Sequence, residues 1–231
     1  VTSLLIEIGC EELPSSSLQR LSSQIHKNIV NQLQINRIEF HDVLSWYTPR
    51  RLIYKVKAVS VQQADWFDER KGPSLKACLD ADKNPTPAAL GFAKSCGMKW
   101  QDLIDESAGR LIHRQHKKGK PLVELLPELL QVSLTHLPGI NTMRWGNGEH
   151  SFCRPVHWLI VLLDGEIVEC NVMGLQASDI SIGHRFLAPD SFRLHADDFE
   201  SQLYKRWVII DPKKRADAIE KGVKDCLKNG Q

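Results

Sequence analysis

Between Met143 and His157 the chain reads Met-Arg-Trp-Gly-Asn-Gly-Glu-His-Ser-Phe-Cys-Arg-Pro-Val-His, then passes through Trp158 into a wholly apolar stretch. Arg144, Arg154, Trp145, Trp158, His150 and His157 are thereby gathered around a Gly-rich turn. A second cluster, Gly183-His184-Arg185-Phe186, follows one β-hairpin later, a spacing that lets the fold return it to the same edge. Arginine brings a fixed charge and a planar fork of donors suited to phosphate or carboxylate. Tryptophan brings stacking area, and glycine lets the backbone approach whatever is bound. The mixture suits a polyanion with flat rings. The competing reading is packing: Trp145, Trp158 and Phe186 in the core, with Arg144 and Arg185 paired to acids.

Other constellations are less specific. Arg50 and Arg51 follow Thr48-Pro49 at a turn, where they meet either phosphate or solvent. From Arg110 to Lys120 there are five cations, two histidines and no acid, which suits a solvated hairpin or a phosphate track. Glu7, Glu11 and Glu12 suggest paired carboxylates. The alternative is that Glu11 and Glu12 favour the start of the next helix through its dipole. His150, Cys153, His157 and His184 offer zinc-type ligands at irregular spacing, crowded by arginines. Cys153, beside Arg154 and His157, is either an activated thiol or a small buried apolar group. The chain contains neither a Gly-x-x-x-x-Gly-Lys loop nor a Gly-x-Gly-x-x-Gly turn, and no Gly-x-Ser-x-Gly elbow. These residues alone describe a binding module, with no catalytic set and no metal set.

The elements that must position these groups follow from hydrophobic periodicity. Ser3–Gly9 reads as a buried strand. Ser15, Ser16 and Ser17 offer caps for a helix to about Leu33, with Leu18, Leu21, Ile25, Ile29 and Leu33 on one face. Asp42–Tyr47 and Leu52–Val61 read as antiparallel strands, and Trp66–Gly72 as another. Thr86-Pro87 starts a helix that Gly97 stops. Arg110 onwards is a strand leading to a turn at Gly119. Pro121–Leu137 is a Leu-rich helix with a kink expected at Pro127. Asp164-Gly165 joins Val156–Leu163 to Glu166–Val172 as a type I′ hairpin. A short helix over Ala196–Tyr204, a strand over Trp207–Ile210 and a final amphipathic helix over Lys213–Leu227 complete the chain. This order argues for an α+β fold with mainly antiparallel sheets. No linker or repeat marks an internal boundary, so residues 1–231 read as one region.

The 231 residues are 42% hydrophobic and 25% charged, ordinary for a globular protein. A net charge of +2 leaves any nucleic-acid role to a local patch. Six scattered cysteines without a Cys-x-x-Cys pair suit reduced thiols in the cytoplasm. No apolar run reaches the roughly 18 residues of a membrane span, and no secretory signal is visible. Val1 begins almost inside a strand, and Asn229-Gly230-Gln231 stops directly after a helix, so a piece of a longer polypeptide is expected.

Several blocks resemble the β subunit of bacterial two-subunit glycyl-tRNA synthetase. They are Glu7-Ile8-Gly9-Cys10-Glu11-Glu12-Leu13-Pro14, Thr48-Pro49-Arg50-Arg51-Leu52, Lys71-Gly72-Pro73, and Pro85-Thr86-Pro87-Ala88-Ala89 with Gly91-Phe92-Ala93. Met143-Arg144-Trp145-Gly146, Phe152-Cys153-Arg154-Pro155-Val156-His157-Trp158 and Gly183-His184-Arg185-Phe186 complete them. They occur in the family's order across nearly the whole chain. Cys10 departs from the usual Thr, and the family's central helical region and anticodon-binding domain are not in this sequence. The resemblance implies the N-terminal part of an α2β2 ligase that joins glycine to tRNA(Gly) in the cytoplasm. It places ATP and Mg at the α subunit, with no cofactor in this region. It also implies a fold similar to the editing-type domain in the large subunit of phenylalanyl-tRNA synthetase. On this resemblance Arg144, Arg154 and Arg185 meet phosphates near the acceptor end, joined by Arg50 and Arg51. Trp145 or Trp158 stacks on a base, and His157 and His184 donate hydrogen bonds. The alternatives are a hydrolytic editing domain, vestigial or active, and a pure scaffold for the αβ interface.

Overall fold

A computed structural model describes residues 2–80, 84–146 and 148–229. Val1, Asn147, Gly230 and Gln231, which enter the sequence reading, lie outside the described residues. In chain order the strands are β1 (Leu4–Cys10), β2 (Asp42–Thr48), β3 (Arg51–Lys57), β4 (Trp66–Ser74), β5 (Ile104–Asp105), β6 (Arg110–Lys117) and β7 (Met143–Arg144). They continue with β8 (Ser151–Phe152), β9 (Val156–Leu163), β10 (Glu166–Ile167), β11 (Asn171–Val172), β12 (Leu175–Gln176), β13 (Ile180–Ile182) and β14 (Ser191–Arg193). The helices are α1 (Ser15–Ile35), α2 (Leu75–Cys78), α3 (Pro87–Cys96), α4 (Leu122–Thr135), α5 (Phe199–Tyr204) and α6 (Pro212–Asn229), with a 3-10 turn at Trp100–Leu103.

The chain divides into two compact units, Val1–Gln63 with Lys120–Gln231, and Ala64–Gly119. No composition shift marks the division because the chain leaves and re-enters the larger unit through a pinched neck. Gln62 and Pro121 form an antiparallel bridge, and the Gln63 amide donates to the Lys120 carbonyl at 2.9 Å. Two adjacent segments joined by an isolated bridge need no flexible linker.

The larger unit is built on a five-stranded antiparallel sheet in the order β10-β9-β1-β3-β2. Strand β1 lies at its centre and is buried along its whole length. Alternate β1 residues Leu4, Ile6 and Ile8 face a core shared with Leu18, Leu21, Ile25, Ile29 and Leu33 of α1 and Leu122, Leu126, Leu129 and Leu130 of α4. Leu5, with Ile53, Ile160 and Leu162, faces the opposite side, covered by Leu194, Phe199, Leu203, Val208 and Ile210. A sheet covered on both faces explains why β1 reads as a near-continuous apolar run.

The smaller unit holds the three-stranded antiparallel sheet β4-β6-β5. Its core is Cys78, Ala89, Ala93, Leu103 and Leu111. Helix α3 has the ends its sequence announces: the Thr86 hydroxyl accepts from the Ala89 amide, Pro87 follows, and Gly97 stops it with φ 66°. The basic strand β6 is partly neutralised, with Arg114 paired to Asp105 at 2.8 Å and Glu69 at 3.1 Å.

Several expectations need correction. Ser15–Ser17 do not cap α1; Pro14 precedes the first turn, and its carbonyl accepts from the Ser17 amide and hydroxyl. Glu11 and Glu12 lie outside that first turn, which holds no acid. The turn at Asp164 (φ 53°) and Gly165 (φ 86°) has both residues left-handed, as type I′ requires. The second strand of that hairpin is short, however, because Asn171–Val172 pairs instead with Leu175–Gln176. Trp207–Ile210 is not a strand. The Val208 amide donates to the Leu203 carbonyl and the Trp207 amide to the Tyr204 carbonyl, the two bonds of a Schellman stop to α5. Its apolar residues are those that pack a helix ending, not one face of a pleat.

Position along α4 decides the cost of truncation. Leu126→Ala should lose about 2–5 kcal/mol in urea unfolding, since Leu126 is wholly buried. Val123→Ala, at an exposed position of the same helix, should stay within about 0.5 kcal/mol.

Candidate functional site

The register of the central sheet sets Arg51, Gly9 and Trp158 abreast on β3, β1 and β9. Two residues earlier on β1, Glu7 lies between Ile53 and Ile160. Gly9 leaves the space that the neighbouring indole fills, because a Cβ there would sit 1.8 Å from the Trp158 ring. From that position the Trp158 Nε1 donates to Glu7 Oε1 at 2.7 Å. The Ser181 hydroxyl donates to the same oxygen at 2.5 Å. Arg51 Nη1 lies 3.3 Å from it and donates also to Ser181, while Nη2 donates to the Ile182 carbonyl. The guanidinium carbon stands 5.5 Å from the Trp158 ring centroid, within cation–π range.

Both charges of this pair are inside the protein, with Glu7 0% and Arg51 3% exposed. Burial lowers the Arg51 pKa and the Glu7 carboxylate opposes that shift. Glu7 Oε1 carries all the hydrogen bonds, whereas the buried Oε2 has no protein partner. A buried pair of this kind adds little net stability, but removing one member leaves the other charge uncompensated.

Above this cluster opens a cavity of about 500 Å3, within the usual size range for small-ligand sites. Its floor is Arg51 and Trp158. Its walls are Thr48-Pro49-Arg50, the segment Ile182–Phe186 with Pro189, and Trp207–Ile209 with Arg215. Arg50, Arg51, Arg185 and Arg215 contribute guanidiniums, and Glu12 is the one carboxylate among the lining residues. Gly183 is required by packing: a Cβ there would lie 2.4 Å from the Ala188 carbonyl oxygen and 2.9 Å from Arg206. The turn so formed directs the amides of Phe186 and Leu187 to His184 Nδ1, each at 3.2 Å. Nδ1 is therefore an acceptor, and in the neutral ring the proton sits on Nε2.

Two aromatic rings at this cavity are exposed at some cost. Phe186 is 79% and Trp207 66% exposed, so each forgoes much of the roughly 1.5–3 kcal/mol that burying such a side chain returns. Trp207 also holds the left-handed position of the α5 stop, with φ 63°. That place usually belongs to glycine, and a side chain there costs about 1–2 kcal/mol. Arg215 is fixed by donating from Nη1 to the Ile209 and Ile210 carbonyls at 2.6 and 3.3 Å. Arg185 has no carboxylate within salt-bridge distance among the described residues, and its guanidinium stands 5.4 Å from the Phe186 ring centroid.

Beside the cavity, Glu11 accepts from His157 Nε2 at 2.9 Å and from Arg50 Nη2 at 3.4 Å. Its pKa is lowered first by the His157 hydrogen bond and, against some desolvation, by the Arg50, His157 and Arg185 charges.

A family model described as "Glycyl-tRNA synthetase beta subunit" matches residues 4–231. The chain belongs to this family. A glycine–tRNA ligase β subunit of Chromohalobacter salexigens is 38% identical over 226 residues, covering 96% of this chain and 33% of that protein. That of Syntrophotalea carbinolica is 37% identical over 220 residues, 94% of this chain and 32% of the relative. That of Alteromonas mediterranea is 37% identical over 230 residues, 97% and 33% respectively. The chain thus spans about a third of the length of the curated relatives it matches.

Within this family member, the structure brings Arg50, Arg51, Trp158, His184 and Arg185 to one cavity and leaves Arg144, Trp145, Arg154 and His157 outside its lining. Arg51, expected at an exposed turn, is instead 3% exposed and held by Glu7 at the floor of the cavity. Arg144 is exposed on β7. Trp145 packs against the main core, and Arg154 donates to the Cys153 carbonyl at 2.9 Å. The candidate zinc ligands take separate surroundings, with His157 on Glu11, His184 on its own turn, and His150 against Gly174. Cys153 is buried, which raises its pKa and opposes activation. Cys10 is buried as well and its thiol is pushed up to about 12. Glu7 entered the sequence reading only as one of three candidate paired carboxylates, not as the partner of Arg51, and Ser181, Trp207 and Arg215 were not anticipated. A lone acid inside Leu-Leu-Ile-Glu-Ile-Gly was the available signal for Glu7; nothing local marks Ser181.

Replacing Glu7 by Leu should destabilise the chain by about 3–5 kcal/mol, and adding Arg51→Met should recover most of it. Urea unfolding of the two variants checks this; equal losses would show that the pair is not coupled. Glu11 titrates below its unfolded value, so its contribution is complete above the unfolded pKa and disappears as pH falls through the folded one. His157→Ala should move the Glu11 midpoint upward, as followed by carboxyl carbon NMR.

Proposed function

We propose that this chain is the RNA-holding region of a glycine–tRNA ligase β subunit, contributing tRNA acceptor-arm contact and subunit assembly rather than the ligation chemistry. In this reading the assembled enzyme, with an α subunit in an α2β2 tetramer, joins glycine to tRNA(Gly) in the cytoplasm with release of AMP and diphosphate. ATP and Mg then belong to the α subunit. The observation that carries the reading is the cavity that places Arg185, which has no carboxylate within salt-bridge distance among the described residues, beside exposed Phe186 and Trp207. Guanidinium attracts backbone phosphate, and aromatic faces accept unstacked bases. Arg144, exposed on β7, extends the same chemistry to a second contact point.

A cleft beside His184 is also the shape a hydrolytic editing pocket needs, as the proposed likeness to the phenylalanyl-type editing domain would suggest. The states of His184 and Glu7 favour holding over hydrolysis, which leaves Glu12 as the one lining carboxylate. A general base needs a free lone pair within reach of water. The lone pair of neutral His184 is occupied by two backbone amides, leaving a donor. Glu7 lies beneath the floor, held by Arg51, Ser181 and Trp158.

The test is tRNA(Gly) affinity of the assembled enzyme across a salt series. Arg185→Ala and Arg144→Ala should each weaken binding and reduce the salt slope by about one. Affinity and slope unchanged by Arg185→Ala would overturn the assignment of the cavity to RNA.

A further inference from the structure

We propose that the cavity accepts one unstacked nucleotide, its base against the Trp207 indole and its phosphate on Arg185. This rests on the RNA-holding reading and sharpens it from a charged face to a one-nucleotide pocket.

Three independent features converge on that ligand. The first is Trp207. An indole that is two-thirds exposed gains little from folding, and the left-handed stop it occupies favours glycine. Packing explains neither its size nor its place, whereas a stacking surface at a cavity wall explains both. The second is Arg185, whose guanidinium meets no carboxylate among the described residues while Arg50 and Arg51 each have one. A cation left available beside two that are paired is suited to an anion from outside. The third is the separation of roles within the lining. Arg51 is consumed by the floor and Arg215 by the carbonyls of Ile209 and Ile210, so those two build the wall. The remaining chemistry is an aromatic face, one available guanidinium, the His184 Nε2 donor and the Glu12 carboxylate, which sits with Thr48–Arg51 in the lining and leaves Arg185 as the phosphate's partner.

Other ligand classes fit less well. An inorganic anion would use Arg185 without needing an exposed indole. An aliphatic group would be ill matched to four lining guanidiniums. A planar base joined to a phosphate uses both parts, because every base has a stacking face and the phosphate takes the planar donor fork. Preference among bases would come from stacking strength and from the single His184 donor, so weak discrimination is expected.

The experiment uses the full-length β chain without its α partner, which removes the ATP site that the family implies. Cytidine 5′-monophosphate is titrated by calorimetry and by tryptophan fluorescence, with cytidine and inorganic phosphate as separate arms. The expected result is saturable CMP binding, with quenching, and weaker binding of either part alone. Arg185→Ala should weaken CMP binding about tenfold or more, in line with loss of one good polar or stacking contact. Trp207→Gly is the decisive variant. It removes the stacking surface and relieves the left-handed backbone, so Tm should hold or rise while CMP affinity falls about tenfold or more. A purely structural Trp207 would instead lower Tm and leave CMP affinity unchanged.

No CMP binding up to about 10 mM, far weaker than ordinary recognition, would overturn the proposal. So would phosphate binding as tightly as CMP, or equal CMP affinity in Trp207→Gly. If these fail while Arg185→Ala still weakens tRNA(Gly) binding, the one-nucleotide pocket is wrong and the RNA-holding reading stands. If both fail, the reading falls with it.

Discussion

Glu7 and Arg51 are opposite charges in the central strands of a sheet covered on both faces, and the surrounding structure is arranged to keep them there. Both are almost wholly buried, so their charges depend on hydrogen bonds from the protein. Trp158 supplies one from the next strand, Ser181 a second and the Ile182 carbonyl a third. Those partners come from β9 and β13, which are distant in sequence from β1 and β3. The pair therefore ties the start of the chain to the segment carrying Gly183–Phe186. Satisfying one buried charge pair is what fixes the far wall of the cavity over the sheet.

The same requirement explains two features that otherwise look unrelated. Gly9 is small because the Trp158 indole must lie across its strand to reach Glu7. Gly183 is small because the turn after β13 must press against Ala188 and Arg206. Between them they set the floor and one wall of the cavity. The opposite wall is the stop of α5, where Trp207 stands in place of the usual glycine and Val208 returns to the core beside Leu203. The arginines divide accordingly. Some are structural, holding carboxylate or carbonyl groups, and Arg185 is left to solvent. Counting guanidiniums in the sequence cannot make that division, since it depends on what each side chain meets after folding.

Much of the architecture was nonetheless legible locally. The α1 face from Leu18 to Leu33, the Thr86–Gly97 helix with both end signals, and the Asp164-Gly165 turn follow from short-range physics: periodicity, capping and left-handed backbone preference. The misreadings share a cause. Ser15–Ser17 are good caps in isolation, yet the chain enters α1 from Pro14. Trp207–Ile210 carries the apolar pattern of a strand, but its peptide groups are taken by the end of α5. At the site, Trp158, His184 and Arg185 were recognised as belonging together, while Glu7, Trp207 and Arg215 were not.

The sequence by itself determined the family, through ordered blocks of residues along the chain, and the α+β character, through local periodicity. It also identified the segments that carry arginine, tryptophan and histidine. Only the tertiary structure decided which of these groups are spent inside and which remain available. Whether Arg51 is a ligand for phosphate or a partner for Glu7 depends on strand register and sheet coverage, which are long-range properties. The exposure of Trp207 likewise arises from a helix ending packed onto a distant sheet. Burial and pairing are set by residues far apart in the chain, and no local pattern encodes them.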